Sequence, residues 1–395
     1  MFGAIYVGLS GLNAYSQGLQ QVSNNVSNMN TLGFKGSSVT FNDTVGGASN
    51  AGLSLTGTTS DGGDGVEVAP LQRDFSQGDL RQTQNALDLA INGTGFFVLT
   101  EGNQTFYTRT GSFQVDKDGY IVLAGTDYRL ATLDSSGRAV DVSVNNYSTY
   151  PPKQTTTIQF ANNLSSTATS YSIGDVKVYD AQGTAHDWSI QFAKDTSSTA
   201  GPDDWTVTVQ DSNGNQIGQQ TIKFDNGTID PTTNKLTFAD SSSGLSVVFD
   251  FSQNVTSYSS GDTSTLNAAS VDGQGLGTIS SVQVNDNGEL EISYSNDQKK
   301  SLGAVAIADF RDPQALDVRS GGLYVDNGSA GRELFSTASN EAGKVVSHQL
   351  EASNVDLAKQ FGDMIIIQRG YQASSQIISV ANDMIQQLFG IRGQG

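Results

Sequence analysis

The chain has 395 residues, a formal net charge of −19 and no cysteine. The acidic excess argues against binding to nucleic acid or to anionic lipid, because both carry negative charge themselves. The absence of cysteine excludes disulfides and cysteine-ligated metal sites, and the length is enough for about two to four domains with a sizeable core.

The first 34 residues are predicted to form a helix that needs a partner. Apolar side chains recur every seven positions, which is the spacing of a coiled coil. The two rows of this repeat are Ile5, Leu12, Leu19 and Val26, and Tyr15, Val22 and Met29. Glycines at positions 3, 8, 11 and 18 each cost about 1 kcal/mol relative to alanine in a helix. We therefore expect this segment to become helical only when it docks on another element.

The charge pattern of the same segment bears on export. The first charged residue is Lys35, whereas a secretory signal peptide begins with positive charge. We therefore expect no secretory signal peptide. Polar residues such as Asn13 and Gln17 interrupt the segment, and the C-terminal helix carries Asp363 and Arg369, so a membrane span is not expected either.

Residues 23–41 contain the signals that end the first helix. The asparagines of this stretch favour local hydrogen bonds to the backbone over a continuing helix, and Gly33 permits a turn. Residues 35–70 follow, and their glycine- and serine-rich part predicts a flexible connector or a loosely held hairpin.

The middle of the chain is predicted to be antiparallel β structure in two domains. Short apolar runs separated by turns begin after residue 66, and Asp116 to Gly119 form the turn of a predicted hairpin. No arginine or glutamate occurs between Arg138 and Glu289, which marks a change of composition. We predict an inner β domain over 71–145 plus 285–352, with a second β domain inserted over 146–284.

The last forty residues predict one long helix from Ser353 to Arg392, about 60 Å in length. Ser353 precedes Asp356 by three positions, which predicts an N-cap at Ser353. Two rows again recur every seven residues. The first row is Leu357, Met364, Tyr371, Ile378 and Ile385, and the second is Gln360, Ile367, Ser374, Ala381 and Leu388.

The two terminal helices, 1–34 and 353–395, are each other's natural partners. They could form a hairpin inside one chain, or their apolar rows could join neighbouring subunits. We favour the second arrangement. The predicted fold class is therefore α+β, mainly β, with nested antiparallel β domains carried on N- and C-terminal coiled-coil helices.

The sequence offers no set of residues that predicts catalysis, a cofactor or a metal. His186 and His348 are isolated, and the glycines between 273 and 277 neither follow a convincing strand nor open a helix. The adjacent carboxylates Asp203 and Asp204 are expected to face solvent rather than to form a glycosidase pair. Trp188 and Trp205 are expected in sheet packing, although tryptophans can also stack on sugars.

Four sequence blocks resemble the rod and hook proteins of the bacterial flagellum. They lie at 23–35, 75–97, 107–120 and 350–373, and they cover both ends of the chain and the first β domain. The residues of the terminal motifs are Asn24, Asn25, Asn28, Thr31, Gly33, Phe34 and Lys35, and Ser353, Asn354, Val355, Asp356, Gln368, Arg369, Tyr371 and Gln372. Rod members of this family are shorter, so the inserted β domain favours the hook members.

The resemblance implies a structural function. Hook proteins of this family polymerise into a curved hollow tube that couples the rotary motor to the filament, with the terminal helices inside and the β domains outside. The partners implied are other copies of the chain, the distal rod protein, the hook cap protein, the hook–filament junction protein and the flagellar type III export apparatus. The implied location is the extracellular part of the flagellum.

Two alternatives remain open at this point. One is a distal rod or other axial component of the same family. The other is a secreted β-rich adhesin or carbohydrate-binding protein with a helical stalk. A straight polymer would favour the first alternative, and discrete oligomers that bind glycans would favour the second.

Overall fold

The computed structural model describes residues 2–45, 63–134, 136–196, 201, 203–336 and 342–392. The chain divides into two compact units. The first unit contains Met1–Asn146, Val282–Glu291 and Ser301–Gly395, and the second contains Tyr147–Ser281 and Ile292–Lys300. The predicted fold class is confirmed, because the described chain is mostly β structure with one long helix near each end.

The secondary structure begins with a long helix, and short strands follow it in chain order. The first elements are α1 (Phe2–Ser27), β1 (Ser37–Ser38), β2 (Phe41–Val45), β3 (Gly63–Val68), β4 (Gln72–Arg73), β5 (Leu80–Gln82), β6 (Asp88–Asn92), β7 (Phe96–Glu101), β8 (Gln104–Thr108), β9 (Thr110–Val115), β10 (Ile121–Leu123), β11 (Arg129–Leu133) and β12 (Ala139–Asp141). After a short 3-10 helix, Val144–Tyr147, follow β13 (Thr149–Tyr150), β14 (Thr157–Asn163), β15 (Ser170–Tyr179), β16 (Ala185–Lys194), β17 (Asp204–Gln210), β18 (Gln216–Asp225), β19 (Thr228–Ile229), β20 (Lys235–Asp240), β21 (Leu245–Asp250), β22 (Val255–Thr256) and β23 (Asn267–Val271). The last are β24 (Gly277–Val284), β25 (Glu289–Tyr294), β26 (Lys299–Ala304), β27 (Ala306–Phe310), the 3-10 helix Pro313–Ala315, β28 (Asp317–Arg319), β29 (Leu323–Val325), β30 (Arg332–Ser336), β31 (Lys344–Ser347), β32 (Gln349–Glu351) and α2 (Leu357–Arg392).

The C-terminal helix begins four residues later than predicted, at Leu357 rather than Ser353. The predicted N-cap at Ser353 is wrong, because its hydroxyl accepts from Val355 N–H outside the helix. Asp356 is the cap instead. Its carboxylate accepts from the N–H groups of Ala358, at 2.8 Å, and Lys359, at 3.2 Å, which have no partner within the first turn.

The N-terminal helix ends inside the asparagine-rich stretch that was predicted to end it, but seven residues before the predicted limit at residue 34. α1 stops at Ser27, and the side-chain amide of Asn28 donates back to the carbonyl of Asn24 at 2.9 Å. Gly33 has a φ of 65°, so the permissive turn is confirmed. In the predicted connector 35–70, β2 pairs with β3, and residues 46–62 lie outside the described residues.

The large sheet of the first unit follows the order β28-β29-β8-β7-β11-β10-β9-β6-β31. Its pairs are antiparallel, as the turn-separated strands predicted. The predicted hairpin is present, since β9 pairs with β10 and the Asp116 carboxylate accepts from Tyr120 N–H at 2.7 Å. Apolar side chains such as Leu89, Phe97 and Phe113 fill the core beneath this sheet.

The second unit contains a sheet in the order β15-β16-β17-β18-β19-β22-β14-β21-β20. The all-antiparallel prediction is wrong for β14, which runs parallel to both β21 and β22. Trp188 and Trp205 are buried in the core of this unit, so neither ring is free to stack on a sugar. The expectation of two solvent-facing aspartates is also wrong, because Asp204 is buried and accepts from Gly201 N–H at 2.9 Å.

Acid is expected to weaken the second unit through its turns. Asp180, Asp211 and Asp230 each accept hydrogen bonds from N–H groups of their own turns, and these bonds lower the pKa of each carboxyl group. A carboxyl group whose pKa is lower in the folded than in the unfolded chain adds stability above the unfolded pKa and loses it as the pH falls. We therefore expect the urea midpoint of tryptophan fluorescence to fall between about pH 5 and about pH 2.5.

A triple variant provides the control for this pH dependence. Replacing Asp180, Asp211 and Asp230 with asparagine keeps an accepting oxygen in each turn and removes the titrating group. The midpoint of this variant should fall less over the same pH range. An equal fall in both proteins would show that these turns do not carry the acid sensitivity.

Candidate functional site

The two long helices form an antiparallel pair inside one chain. Asn25 meets Gln360, Gly18 faces Ile367 and Gly11 faces Ser374, so the contacts recur every seven residues along both helices. A Cβ added at Gly11 would lie 2.5 Å from the Ser374 hydroxyl oxygen. Glycine therefore permits a close approach of the helices, which a larger residue would prevent.

The residues predicted to join neighbouring subunits fall into three groups. Val22 and Ile367 are buried within the chain, so they offer no exposed surface to a neighbouring copy. Leu357 and Tyr371 are exposed. The partly buried ones are Ile5, Leu12, Tyr15, Leu19, Val26, Met29, Met364, Ile378 and Ile385. The side chain of Leu388 lies outside the described residues.

Within one chain the structure therefore shows the hairpin of the two helices, and contacts of their apolar rows with neighbouring subunits stay a prediction. The mixed row of α2, which contains Gln360, Ile367, Ser374 and Ala381, is the row that is buried, and it is covered within the chain. Most of the fully apolar row remains partly or largely accessible.

Sequence reasoning missed the most exposed apolar face of α2. We call it the α2 stripe, and it consists of Ile366, Ala373, Ile377, Val380 and Met384. Ile366 is 68% exposed and Val380 is 51% exposed. The spacings of seven, four, three and four residues place these side chains on one side of the helix. Counting every seventh residue from Ile366 instead of Ile367 reaches Ala373 and Val380, so the same repeat could have found the stripe.

A glycine pair tests the helix packing. Gly370 lies under the ring of Tyr15, and an added Cβ would overlap that ring, whereas nothing lies within 4 Å of a Cβ at Gly362. Gly370→Ala should therefore lower the free energy of unfolding by about 1–3 kcal/mol. Gly362→Ala, on the same helix, should raise it by about 0.5–1 kcal/mol. Urea unfolding followed by circular dichroism measures both, and equal effects would contradict the contact with Tyr15.

Motif residues at the base of the helices tie distant segments together. Asn25 is buried, and its amide donates to the Ser37 carbonyl and to Gln360 Oε1, both at 2.8 Å. The Asn354 side chain accepts from Gly36 N–H at 2.8 Å and donates to the Asp74 carbonyl at 2.7 Å. These bonds hold the ends of both helices against the strands that begin the β structure.

A buried ionic cluster lies beside these asparagines. Lys35 Nζ is 2.7 Å from Glu351 Oε1, and both side chains are 0% exposed. Arg109 Nε lies 3.5 Å from Glu351 Oε2. The Lys35 ammonium also donates to the Ser76 carbonyl at 2.6 Å. The cluster joins residues from the start, the first β block and the end of the chain.

Burial determines the electrostatics of this cluster. Desolvation lowers the pKa of Lys35, and the Glu351 carboxylate opposes that effect. Desolvation likewise lowers the pKa of Arg109. Glu351 and Arg109 stand in two of the blocks that resemble flagellar proteins, but sequence reasoning did not single them out. Each is one of several charged residues in its block, so charge alone gave no signal that would have found them.

The other motif residues have different environments. Asn24, Thr31, Gln368, Arg369 and Gln372 are exposed, and Val355 packs near Gly36. Gly33 donates its N–H to the Glu351 carbonyl at 2.8 Å. Phe34, with Asn24 and Asn28, lines a cleft that also contains Arg73 and Arg319.

Among the residues that the structure describes, no three histidine, aspartate or glutamate side chains cluster as metal ligands. His186 contacts Asp180 at 3.2 Å in a turn of the second unit. Within the described ranges, no helix is both long and apolar enough to cross a membrane.

Three family models match the chain. They are "Flagella basal body rod protein" over residues 5–35, "Flagellar hook protein FlgE/F/G D1 domain" over 90–175 and "Flagellar basal body rod FlgEFG protein C-terminal" over 346–391. The first and last matches cover most of the terminal helices, and the middle match contains Arg109 of the buried cluster.

Full-length relatives give the same result. The flagellar hook protein FlgE of Salmonella typhimurium is 30% identical over 97% of this chain and 98% of its own length. The FlgE protein of Escherichia coli K12 is 31% identical with the same coverage. A crystal structure of Helicobacter pylori FlgE2 matches with a TM-score of 0.46 and 14% identity over 69% of this chain and 99% of that one. The chain therefore belongs to the flagellar hook protein FlgE family and is a structural protein of the extracellular hook of the bacterial flagellum.

Proposed function

We propose that copies of this chain polymerise through their terminal helices into a curved hollow tube that transmits motor torque to the filament. The observation that supports this proposal is the α2 stripe, an apolar helix face that stays exposed in the described part of the chain. Exposed apolar stripes of this kind mark interaction surfaces, because their burial is favourable by about 25 cal/mol per Å².

The stripe suits a tightly packed inner layer. Its five members include no charged residue, and heptad-like spacing lets the helix of a neighbouring copy pack along its length. Tyr6 and Leu9 on α1 are exposed as well and offer a complementary apolar surface. In this arrangement one copy presents α2 and its neighbour presents α1.

The inserted β domain, 146–284, would form the outer layer. Its surface strands are rich in serine and threonine, so contacts between outer domains would be polar and hydrated. Such contacts can slide at low cost as a curved tube rotates. The helices α1 and α2 would then make the tube stiff, and the outer domains would let it bend.

The proposal includes specific partners and excludes catalysis. Beyond copies of itself, the chain would contact the distal rod protein, the hook cap protein, the hook–filament junction protein and the flagellar type III export apparatus. We propose that it has no enzymatic activity, since the FlgE family is one of structural proteins.

Electron microscopy of the purified chain tests this function. The chain is concentrated in ammonium sulfate, because salting-out anions strengthen apolar burial. Curved hollow tubes are the expected result. Straight tubes would favour a rod component, and discrete particles at every concentration, with affinity for glycans, would favour the adhesin alternative.

A further inference from the structure

The seven-residue repeat of the helix pair does not by itself determine how α1 is aligned along α2. In the observed register Asn25 lies opposite Gln360, Gly18 opposite Ile367 and Gly11 opposite Ser374, while Ala4 and Ala381 line one groove. Each step is seven residues on both helices. A shift of α1 by seven residues along α2 would therefore bring together another set of facing positions.

A shift of α1 away from the base of the pair keeps most of the packing between the two helices. Gly18 would lie opposite Ser374, as Gly11 does now, and Gly11 would lie opposite Ala381. Small residues would again face α2, and the helices could approach as closely as before. The glycine stripe of α1 therefore tolerates two registers about 10 Å apart, at about 1.5 Å per residue.

Asn25 is the residue that distinguishes the two registers. Its side chain is buried, donates to Gln360 Oε1 at 2.8 Å and accepts from Ser37 N–H at 3.1 Å. In the shifted register the same amide would face Ile367, and Gln360 would lose its partner. A buried amide without a hydrogen-bond partner is strongly disfavoured.

Tyr15 adds a second, weaker constraint. Its ring occupies the notch at Gly370, and an added Cβ there would overlap it. The shifted register would bring the larger Ile377 opposite Tyr15 in place of glycine. This contact opposes the shift. Asn25 is the α1 residue, among those the structure describes, whose side chain hydrogen-bonds both to α2, at Gln360, and to the backbone of the following segment, at Ser37.

We propose that Asn25 is the register-determining residue of the helix pair, acting through its hydrogen bonds to Gln360 and Ser37. This positioning function concerns the fold of one chain and goes beyond polymerisation. The register decides which α1 side chains flank the α2 stripe. Asn25→Leu should allow the outward shift, because the introduced leucine side chain would pack on Ile367.

Spin labels on two introduced cysteines measure the register of the monomer. The chain has no cysteine, so Ser23→Cys on α1 and Gln387→Cys on α2 are the sole attachment points, and both positions are exposed. In the observed register, the two labelled positions are separated by about 25 residues along the helix axis, or about 37 Å. In Asn25→Leu the distance should shorten by about 10 Å.

Two further variants separate a register change from loss of structure. Asn13→Leu makes the same substitution at an exposed position of α1 and should keep the wild-type distance. In Asn25→Leu with Gln360→Leu, two leucines face each other in the observed register, so the wild-type distance should return. An unchanged distance in Asn25→Leu with full helix content would overturn the proposal. The proposal would also be overturned if Asn25→Leu gave a broad distribution of label distances and the double variant did not return to the wild-type distance.

Discussion

Replacing Glu351 with glutamine is expected to lower the free energy of unfolding of the first unit by about 3–5 kcal/mol. The substitution removes the anion that faces Lys35 at 2.7 Å and Arg109 at 3.5 Å. Both cations would remain buried, and burial of an unpaired charge is far more costly than loss of an exposed ion pair. The glutamine keeps the shape of the side chain, so the loss would report charge rather than packing.

The matched control is Arg311→Gln in the same unit. Arg311 pairs with Glu333 at 3.7 Å, and the two side chains are 82% and 62% exposed. Exposed pairs of this kind contribute about 0–1 kcal/mol. Urea unfolding followed by far-ultraviolet circular dichroism measures both variants. The two tryptophans lie in the second unit, so fluorescence provides a reference away from the change.

The pH dependence of the Glu351→Gln variant gives a second readout. Burial lowers the pKa of Lys35, and the carboxylate opposes that effect, so the pKa should fall further when Glu351 is replaced. The unfolded chain then holds the lysine proton over a range in which the folded chain has released it. Stability should therefore rise as the pH is raised toward the lysine range, more in the variant than in the wild type. A stability loss similar to that of Arg311→Gln would contradict the structural importance of the cluster.

The sequence predicted the elements of the helix pair better than the contact between them. Seven-residue spacing was enough to find both helices, since it depends on local sequence. It did not identify the row of α2 that faces α1. The row that faces α1 is determined by Gly8, Gly11 and Gly18. Sequence reasoning treated these glycines only as unfavourable for a helix. Their small size permits the close approach that buries Ile367 and Ser374.

The other contacts that the sequence did not predict join residues that are far apart in the chain. Lys35 and Glu351 are 316 positions apart in the chain, and no spacing rule connects them. The parallel pairing of β14 with β21 also joins distant segments, whereas the hairpin at Asp116 to Gly119 was predictable from a local turn. The resemblance to flagellar proteins placed Asn25, Lys35 and Asn354 in motifs, but their hydrogen-bond partners required the structure.

Replacing Ile366 and Val380 together with aspartate is expected to abolish assembly while leaving the monomer folded. Both side chains are largely exposed in the chain, so their removal takes little from its core. Within a polymer, the loss of two buried apolar side chains would cost about 1.5–3 kcal/mol each. The critical concentration should therefore rise by at least about a hundredfold, since each 1.4 kcal/mol is about tenfold.

Sedimentation of the assembled fraction against protein concentration measures this change, with circular dichroism as the check on the monomer. Ser379→Asp with Gln386→Asp is the matched control, because both positions are exposed on α2 but lie off the stripe and add the same charge. The control should assemble near the wild-type concentration. Equal loss of assembly in both variants would mean that added charge anywhere on α2 blocks polymerisation, and normal assembly of Ile366→Asp with Val380→Asp would remove the α2 stripe from the interface.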